Sequence, residues 1–153
     1  MAAMGQVSGH DHQARTPADR RLARKLVAAG LRATRQRVAL AELMFSQGDR
    51  HISAEMLEEE ARGAGFHVSL ATIYNTLHQF SGAGLLRTIA IDTTRTYFDT
   101  NTGNHQHFFI EETCEVIDIA DSCLEVGNLP KAPEGFEISR VDVVVRLKPI
   151  KGT

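Results

Sequence analysis

Val68-Ser69-Leu70-Ala71-Thr72-Ile73-Tyr74-Asn75-Thr76-Leu77-His78-Gln79-Phe80 is the stretch whose reading decides the fold. It reads as a short amphipathic helix. Ser69 is placed to cap its start, and Val68 and Ile73 occupy the two positions of a hydrophobic staple. Leu70, Ile73, Leu77 and Phe80 form one apolar stripe at helical spacing. The opposite face carries Thr72, Asn75 and Gln79, with Tyr74 at its border. That face has no Lys or Glu to make it simply solvated. Short hydrogen-bonding groups beside an aromatic ring suit the edges of DNA bases, where amides read adenine and apolar groups pack on thymine methyls. An ordinary polar helix face is the competing reading, and the surroundings must decide.

Three further helices precede this one. The first runs from Ala18 to Ala29, with Leu22, Leu26 and Val27 inward, and Gly30 follows as its C′ residue. Thr34 caps a second that runs to Phe45, with Val38, Ala41 and Phe45 on one face. Ser53 caps a third, with Glu55 at its positive end and Ile52 and Leu57 as a staple. After Gly84 the period changes. Leu85 to Ile91 and Arg95 to Thr100 flank the turn Asp92-Thr93-Thr94 as a β-hairpin. Helices followed by a hairpin, the last helix polar outside, make a winged helix-turn-helix. In that architecture the last helix enters the major groove and the hairpin lies along the backbone.

The organisation along the chain follows. Residues 1–16 are small and polar and read as a disordered tail, in which His10 and His12 are incidental. Residues 17–99 are the winged-helix DNA-binding domain. Residues 100–104, without an apolar side chain, are a linker. Residues 105–150 are a second, small unit: a hairpin of His107 to Glu111 and Cys114 to Ile119, a short helix from Ser122 to Leu129, and a strand from Ile138 to Leu147. That strand is Val-rich and the unit is small for independent stability, so a sheet continued across a two-fold homodimer is expected. The fold class is α+β: an N-terminal winged helix-turn-helix plus a small C-terminal α/β dimerisation domain.

Charge is distributed unevenly. The net charge is −2, yet Arg15, Arg20, Arg21, Arg24, Lys25, Arg32, Arg35 and Arg37 face a single acid, Asp19, in the first basic stretch. The stretch from Asp99 to Glu137 is acidic and nearly free of Lys and Arg. A basic front and acidic back suggest that only the front meets a polyanion such as double-stranded DNA. No apolar run is long enough to cross a membrane. The N-terminus lacks the apolar core of a secretory signal. Cys114 and Cys123 are too few for a disulfide framework and do not form a C-x-x-C pair, which points to a reducing cytoplasm. No H-E-x-x-H motif supports a metallohydrolase, and a non-enzymatic role is expected.

One constellation lies near the boundary between the units: His51, Asp99, His105, His107 and, on the following strand, Asp118. His105 and His107 are two apart on an expected strand, so they point to one face. Imidazoles with carboxylates suit Zn²⁺, Fe²⁺ or Mn²⁺ without thiolates. A ligand set drawn from both units would fix their relative orientation.

Taken in order, Gly30-Leu31-Arg32-Ala33-Thr34, His51-Ile52-Ser53-Ala54-Glu55, Ser69-Leu70-Ala71-Thr72-Ile73-Tyr74-Asn75, Phe80 followed by Gly84-Leu85-Leu86, and His105-x-His107 resemble the Fur family of metal-responsive repressors. Within that family the chain is most similar to the Irr branch, iron- and haem-responsive regulators of alphaproteobacteria. That similarity rests on Leu70 to Phe80, on Glu115-Val116-Ile117-Asp118-Ile119, and on Pro133 to Ile138 leading into Val143-Val144-Val145-Arg146-Leu147.

The resemblance implies roles for particular residues. Tyr74 matches a base-contacting tyrosine, and Asn75 stands where many members carry Arg. Arg32 matches a residue that reaches the minor groove, and Ser69 and Thr72 fall at phosphate or base contacts. His51, Asp99, His107 and Asp118 match the family's interdomain metal site. A second family site is depleted: Asn104, Gln106 and Val141 replace its ligands and only Glu125 remains. The cysteine pairs of a structural zinc site are absent, so one principal regulatory site is expected, responding to iron or, as the alternative, to manganese, zinc or peroxide. Similarity to the Irr branch also implies haem as a second candidate ligand, through His105 and His107.

Overall fold

The computed structural model describes residues 16–120 and 123–152. His10 and His12 lie outside them. Ten elements follow in order: α1 (Pro17–Ala28), α2 (Arg35–Phe45), β1 (His51–Ile52), α3 (Ala54–Gly63), α4 (Leu70–Gly82), β2 (Arg87–Ala90), β3 (Thr96–Asp99), β4 (Gln106–Ile110), β5 (Glu115–Ile119) and β6 (Val144–Leu147). The architecture is α+β, as the sequence leads one to expect.

Helix starts are set by local chemistry. The side chains of Thr16, Thr34, Ser53 and Ser69 each accept a hydrogen bond from a backbone N–H of the first turn. Thr16 and Asp19 complete a reciprocal capping box, so Thr16 belongs to α1 rather than to the tail. Gly30 takes φ +83, a left-handed geometry that a side chain would strain, and the chain turns there out of α1.

Leu26, Leu40, Met44, Ile52, Leu57, Ile73, Leu77, Phe80 and Phe98 are fully buried in one core that binds the four helices to the first sheet. The stripe Ile73, Leu77 and Phe80 on α4 is therefore the inward face, with Leu70 half-buried at its end. Val27 departs from the expectation: it is 62% exposed. Leu22, Ala23 and Leu26 already fill the side of α1 that faces α2, and the residue after Leu26 points away from them.

Two three-stranded sheets follow. The first has the order β1-β3-β2, all antiparallel. The wing is thus more than the expected hairpin, because His51–Ile52 joins it as a third strand. Its turn is held by Asp92, whose carboxylate accepts from the backbone of Thr94 and Arg95. The second sheet has the order β5-β4-β6, with β6 parallel to β4. The sheets share a small core in which Ile89, Ile91 and Tyr97 pack with Phe109, Val116 and Val144. One face of the wing therefore rests on the second sheet.

Two C-terminal expectations are corrected. Residues 123–129 form no helix, and Ser122 lies outside the described residues. Gly127 and Asn128 interrupt the run, Asn128 in the left-handed region at φ +54, and Pro130 follows. The strand expected from Ile138 to Leu147 is regular only over Val144–Leu147. The Val143 carbonyl still accepts from the His107 N–H of β4 at 3.2 Å, but residues 138–142 pair with no strand among the described residues. The Gln106 side chain instead accepts from the Val143 N–H at 2.6 Å.

Candidate metal centre and nucleic-acid interface

The register of the two sheets builds the centre. His51 sits directly across from Asp99 in the β1–β3 pair, and His107 directly across from Asp118 in the β4–β5 pair. Directly opposed residues in a strand pair place their side chains on one face of the sheet. Each sheet therefore presents one His/Asp pair, and the two pairs face each other. His105, two residues before His107, completes the group. One ligand atom from each of the five lies within 4.8 Å of all the others.

Asp99 is the hub. Its Oδ2 is 2.7 Å from His105 Nε2, 2.9 Å from His107 Nε2 and 3.3 Å from His51 Nε2. Asp118 Oδ1 lies 2.8 Å from His51 Nε2, 3.2 Å from His105 Nε2 and 3.3 Å from His107 Nε2. Asp99 and His107 are buried, whereas the Asp118 side chain is 42% exposed, so the centre opens to solvent on that side.

The proton arrangement favours a cation. His105 Nδ1 lies 2.8 Å from the Gly103 carbonyl, which can only accept, so Nδ1 carries the hydrogen. In the neutral ring Nε2 is then a lone pair, and it faces Asp99 Oδ2 and, at 2.9 Å, His107 Nε2. Lone pairs and carboxylate oxygens cannot converge at these distances without positive charge between them, from protons or from a metal ion. A backbone carbonyl that fixes the tautomer in this way is the usual support of a metal-ligating imidazole. The donor set, imidazole nitrogen with carboxylate oxygen, fits a divalent cation.

Ionisation follows the same logic. Burial alone would raise the Asp99 carboxyl. Hydrogen bonds from His107, His51 and the Asn101 N–H overcome it and hold Asp99 well below the usual carboxylate range. Burial likewise opposes the charged form of His51, but Asp99 and Asp118 outweigh it and raise its pKa.

All four metal-site residues expected from the sequence meet at this point. His105 meets them too, although the family resemblance associated it with haem. Both His105 and His107 turn their Nε2 atoms inward to Asp99. No thiolate joins the group, and Cys114 and Cys123 are exposed and unbridged.

The α4 surface is the second candidate site. Ser69 and Asn75 are exposed, Thr72 and Tyr74 half-buried, and Arg32 exposed at the turn before α2. The hydroxyls of Ser69 and Thr72 are 2.8 Å apart. Two partners of this face were not legible in the sequence. Tyr74 donates to Glu55 on α3 at 2.8 Å. Arg37 on α2 donates to the Gln79 side-chain oxygen at 2.6 Å and to the Arg32 carbonyl at 3.0 Å. Among the described residues no helix is long and apolar enough to cross a membrane.

The chain is similar to known proteins over most of its length. The ferric uptake regulator family model matches residues 28–146. The ferric uptake regulation protein of Pseudomonas aeruginosa is 34% identical over 125 residues, covering 80% of this chain and 93% of that protein. The structure of the ferric uptake regulator from Pseudomonas aeruginosa with manganese has a TM-score of 0.63 at 30% identity, covering 84% of this chain and 97% of its own. The Vibrio cholerae ferric uptake regulator has the same fold, with a TM-score of 0.66 at 23% identity over 83% and 98% of the two chains. With its winged helix, second sheet and shared His/Asp centre, this chain belongs to the ferric uptake regulator family, a family of metal-responsive transcription regulators and not of enzymes.

Proposed function

We propose that this chain is a homodimeric repressor of iron-homeostasis genes, controlled by one divalent cation at His51, Asp99, His105, His107 and Asp118. The observation that carries this reading is the meeting of two cross-strand His/Asp pairs from different sheets. A bound cation, Fe²⁺, Mn²⁺ or Zn²⁺, would supply the positive charge that the convergent lone pairs and carboxylates require. His51 and Asp99 belong to the wing sheet, and His107 and Asp118 to the second sheet. Holding them together fixes the DNA-reading unit (residues 17–99) against the dimerising unit (residues 105–150), with residues 100–104 as the link. His51 also stands two residues before the Ser53 cap of α3, so its position bears on the helices that present α4.

In this reading Tyr74 and Asn75 meet base edges, Ser69 and Thr72 meet phosphates or bases, and Arg32 reaches the minor groove. The basic α1–α2 region supplies the salt-dependent part of the affinity. A cytoplasmic location follows from the role. Within the family we place the chain in the Irr branch, on the sequence runs given above. Haem is the alternative signal there, and it would require His105 and His107 to leave Asp99.

The test is operator binding by footprinting with metal-free protein and with protein loaded with Fe²⁺, Mn²⁺, Zn²⁺ or haem. Cation loading should change affinity at least tenfold, and Asp118→Ala should erase that change. Equal affinity in every state would remove the regulatory centre from the proposal. Unchanged footprints for Tyr74→Ala/Asn75→Ala would remove α4 as the reader.

A further inference from the structure

We propose that a cleft beside the linker, lined by Arg87 and Arg140, binds a small oxyanion through these two residues. The cleft has a volume of about 540 Å³, within the range of small-molecule sites. Its polar lining includes Arg87, Asn104, Gln106, Ser139 and Arg140, and no carboxylate or imidazole is among the lining residues. The chemistry of this lining is wrong for a metal ion and right for an anion.

Arg87 is the built part of the site. It is 4% exposed, in β2, and its two terminal nitrogens are committed. Nη1 donates to the carbonyls of Gly103 at 3.0 Å and His105 at 2.6 Å, and Nη2 to Asp142 at 2.5 Å. Its Nε is a buried donor without a partner, the one such side-chain atom among the described residues. A buried donor of this kind costs free energy until something accepts from it. Arg140 Nε shares the same carboxylate at 2.9 Å. Two guanidiniums therefore share one carboxylate, and a positive charge is left over at the cleft. Guanidinium forks match the oxygens of carboxylates and phosphates alike. The ligand class is thus a small organic acid or a phosphate compound.

Nitrogen-15 NMR of the arginine Nε–H groups in the full chain tests this, with inorganic phosphate and citrate titrated in separate arms against chloride at equal ionic strength. The Arg87 and Arg140 signals should move saturably in at least one arm, and the arm that saturates first identifies the source chemistry. Arg140→Gln, at an exposed position, should weaken that binding at least tenfold, while Arg21→Ala/Arg24→Ala on α1 should leave it unchanged. Shifts confined to the α1 and α2 arginines, or an affinity unchanged by Arg140→Gln, would overturn the proposal. So would movement of Arg87 and Arg140 that fails to saturate in both arms.

Discussion

Tyr74, on the outer border of α4, donates its hydroxyl to a carboxylate oxygen of Glu55 on α3 at 2.8 Å. This bond restrains the side chain proposed to read bases, and it places a negative charge at the surface proposed to meet DNA. Donation to a carboxylate stabilises the neutral phenol, and with smaller contributions from burial and charge it raises the Tyr74 pKa. The sign is testable without DNA. Ultraviolet titration of the two tyrosines should show one midpoint moving down in Glu55→Ala, towards the ordinary value of about 10. With DNA, Glu55→Ala should lower discrimination between operator and random duplex by about two- to tenfold, the worth of one hydrogen bond. Glu55→Gln keeps an acceptor but removes charge, so it should preserve discrimination while tightening binding to both duplexes. Anisotropy titrations giving the same discrimination for all three proteins would show that Glu55 does not position Tyr74.

The five-residue centre separates ligand loss from loss of stability. Asp99 is fully buried and bonded to His105, His107 and the Asn101 N–H, so Asp99→Ala should destabilise even the metal-free protein, by about 1–3 kcal/mol. Asp118 is partly exposed, and its loss leaves less unsatisfied. Asp118→Ala should keep metal-free stability near that of the parent while weakening Mn²⁺ or Fe²⁺ binding by at least about 100-fold. Calorimetry reads both quantities. For the parent, a cation at about 100 times its Kd should add about 2.7 kcal/mol to stability. No rise in Tm with any of Fe²⁺, Mn²⁺ or Zn²⁺ would count against a metal centre.

Asp142 gives a pH dependence whose sign can be worked out. Burial would raise its carboxyl, but hydrogen bonds from Arg87 and Arg140 outweigh it and lower the pKa. A carboxylate with a depressed folded-state pKa stabilises the fold above its unfolded value of about 3.9, and that contribution fades as pH falls towards the folded value. Asp142→Asn should therefore unfold at lower urea than the parent at pH 7. The gap should close as pH falls below about 4. Its size is limited by screening, since the Asp142 side chain is 46% exposed. A gap that widens on acidification would contradict the Arg87–Asp142 pairing.

The parts of this structure that were legible in the sequence are those set by local chemistry. Caps at Thr34, Ser53 and Ser69 and the stripe through Ile73, Leu77 and Phe80 lie within a few residues of what they control. His105 and His107 share a face because side chains alternate along an extended chain. His51 and Asp99 were legible as members of one cluster at the boundary between the units, but their cross-strand pairing was not, since it depends on a strand two residues long. Tyr74 and Glu55 lie 19 residues apart on different helices, and no periodicity pairs them. Nothing in its local sequence marks Arg87 as buried, because Gly103, His105 and Asp142, the groups that accept from it, lie far along the chain. The alternation from Ile138 to Leu147 is strand-like throughout, but a strand needs a neighbour, and β4 reaches only its last four residues.

That unpaired segment supports the final prediction. Phe136 is 77% exposed, and Ile138 and Leu129 in the same irregular stretch are 45% and 47% exposed. Large apolar side chains held in water are stabilised when a second copy covers them, by about 1.5–3 kcal/mol each. Phe136→Glu should therefore raise the dimer dissociation constant by about ten- to hundredfold in sedimentation equilibrium. Circular dichroism should stay unchanged, because Phe136 lies outside both cores of the single chain. Operator binding should weaken with it, because two recognition helices must be joined to engage paired half-sites. A dimer of parental strength in both Phe136→Glu and Ile138→Glu would place the interface elsewhere.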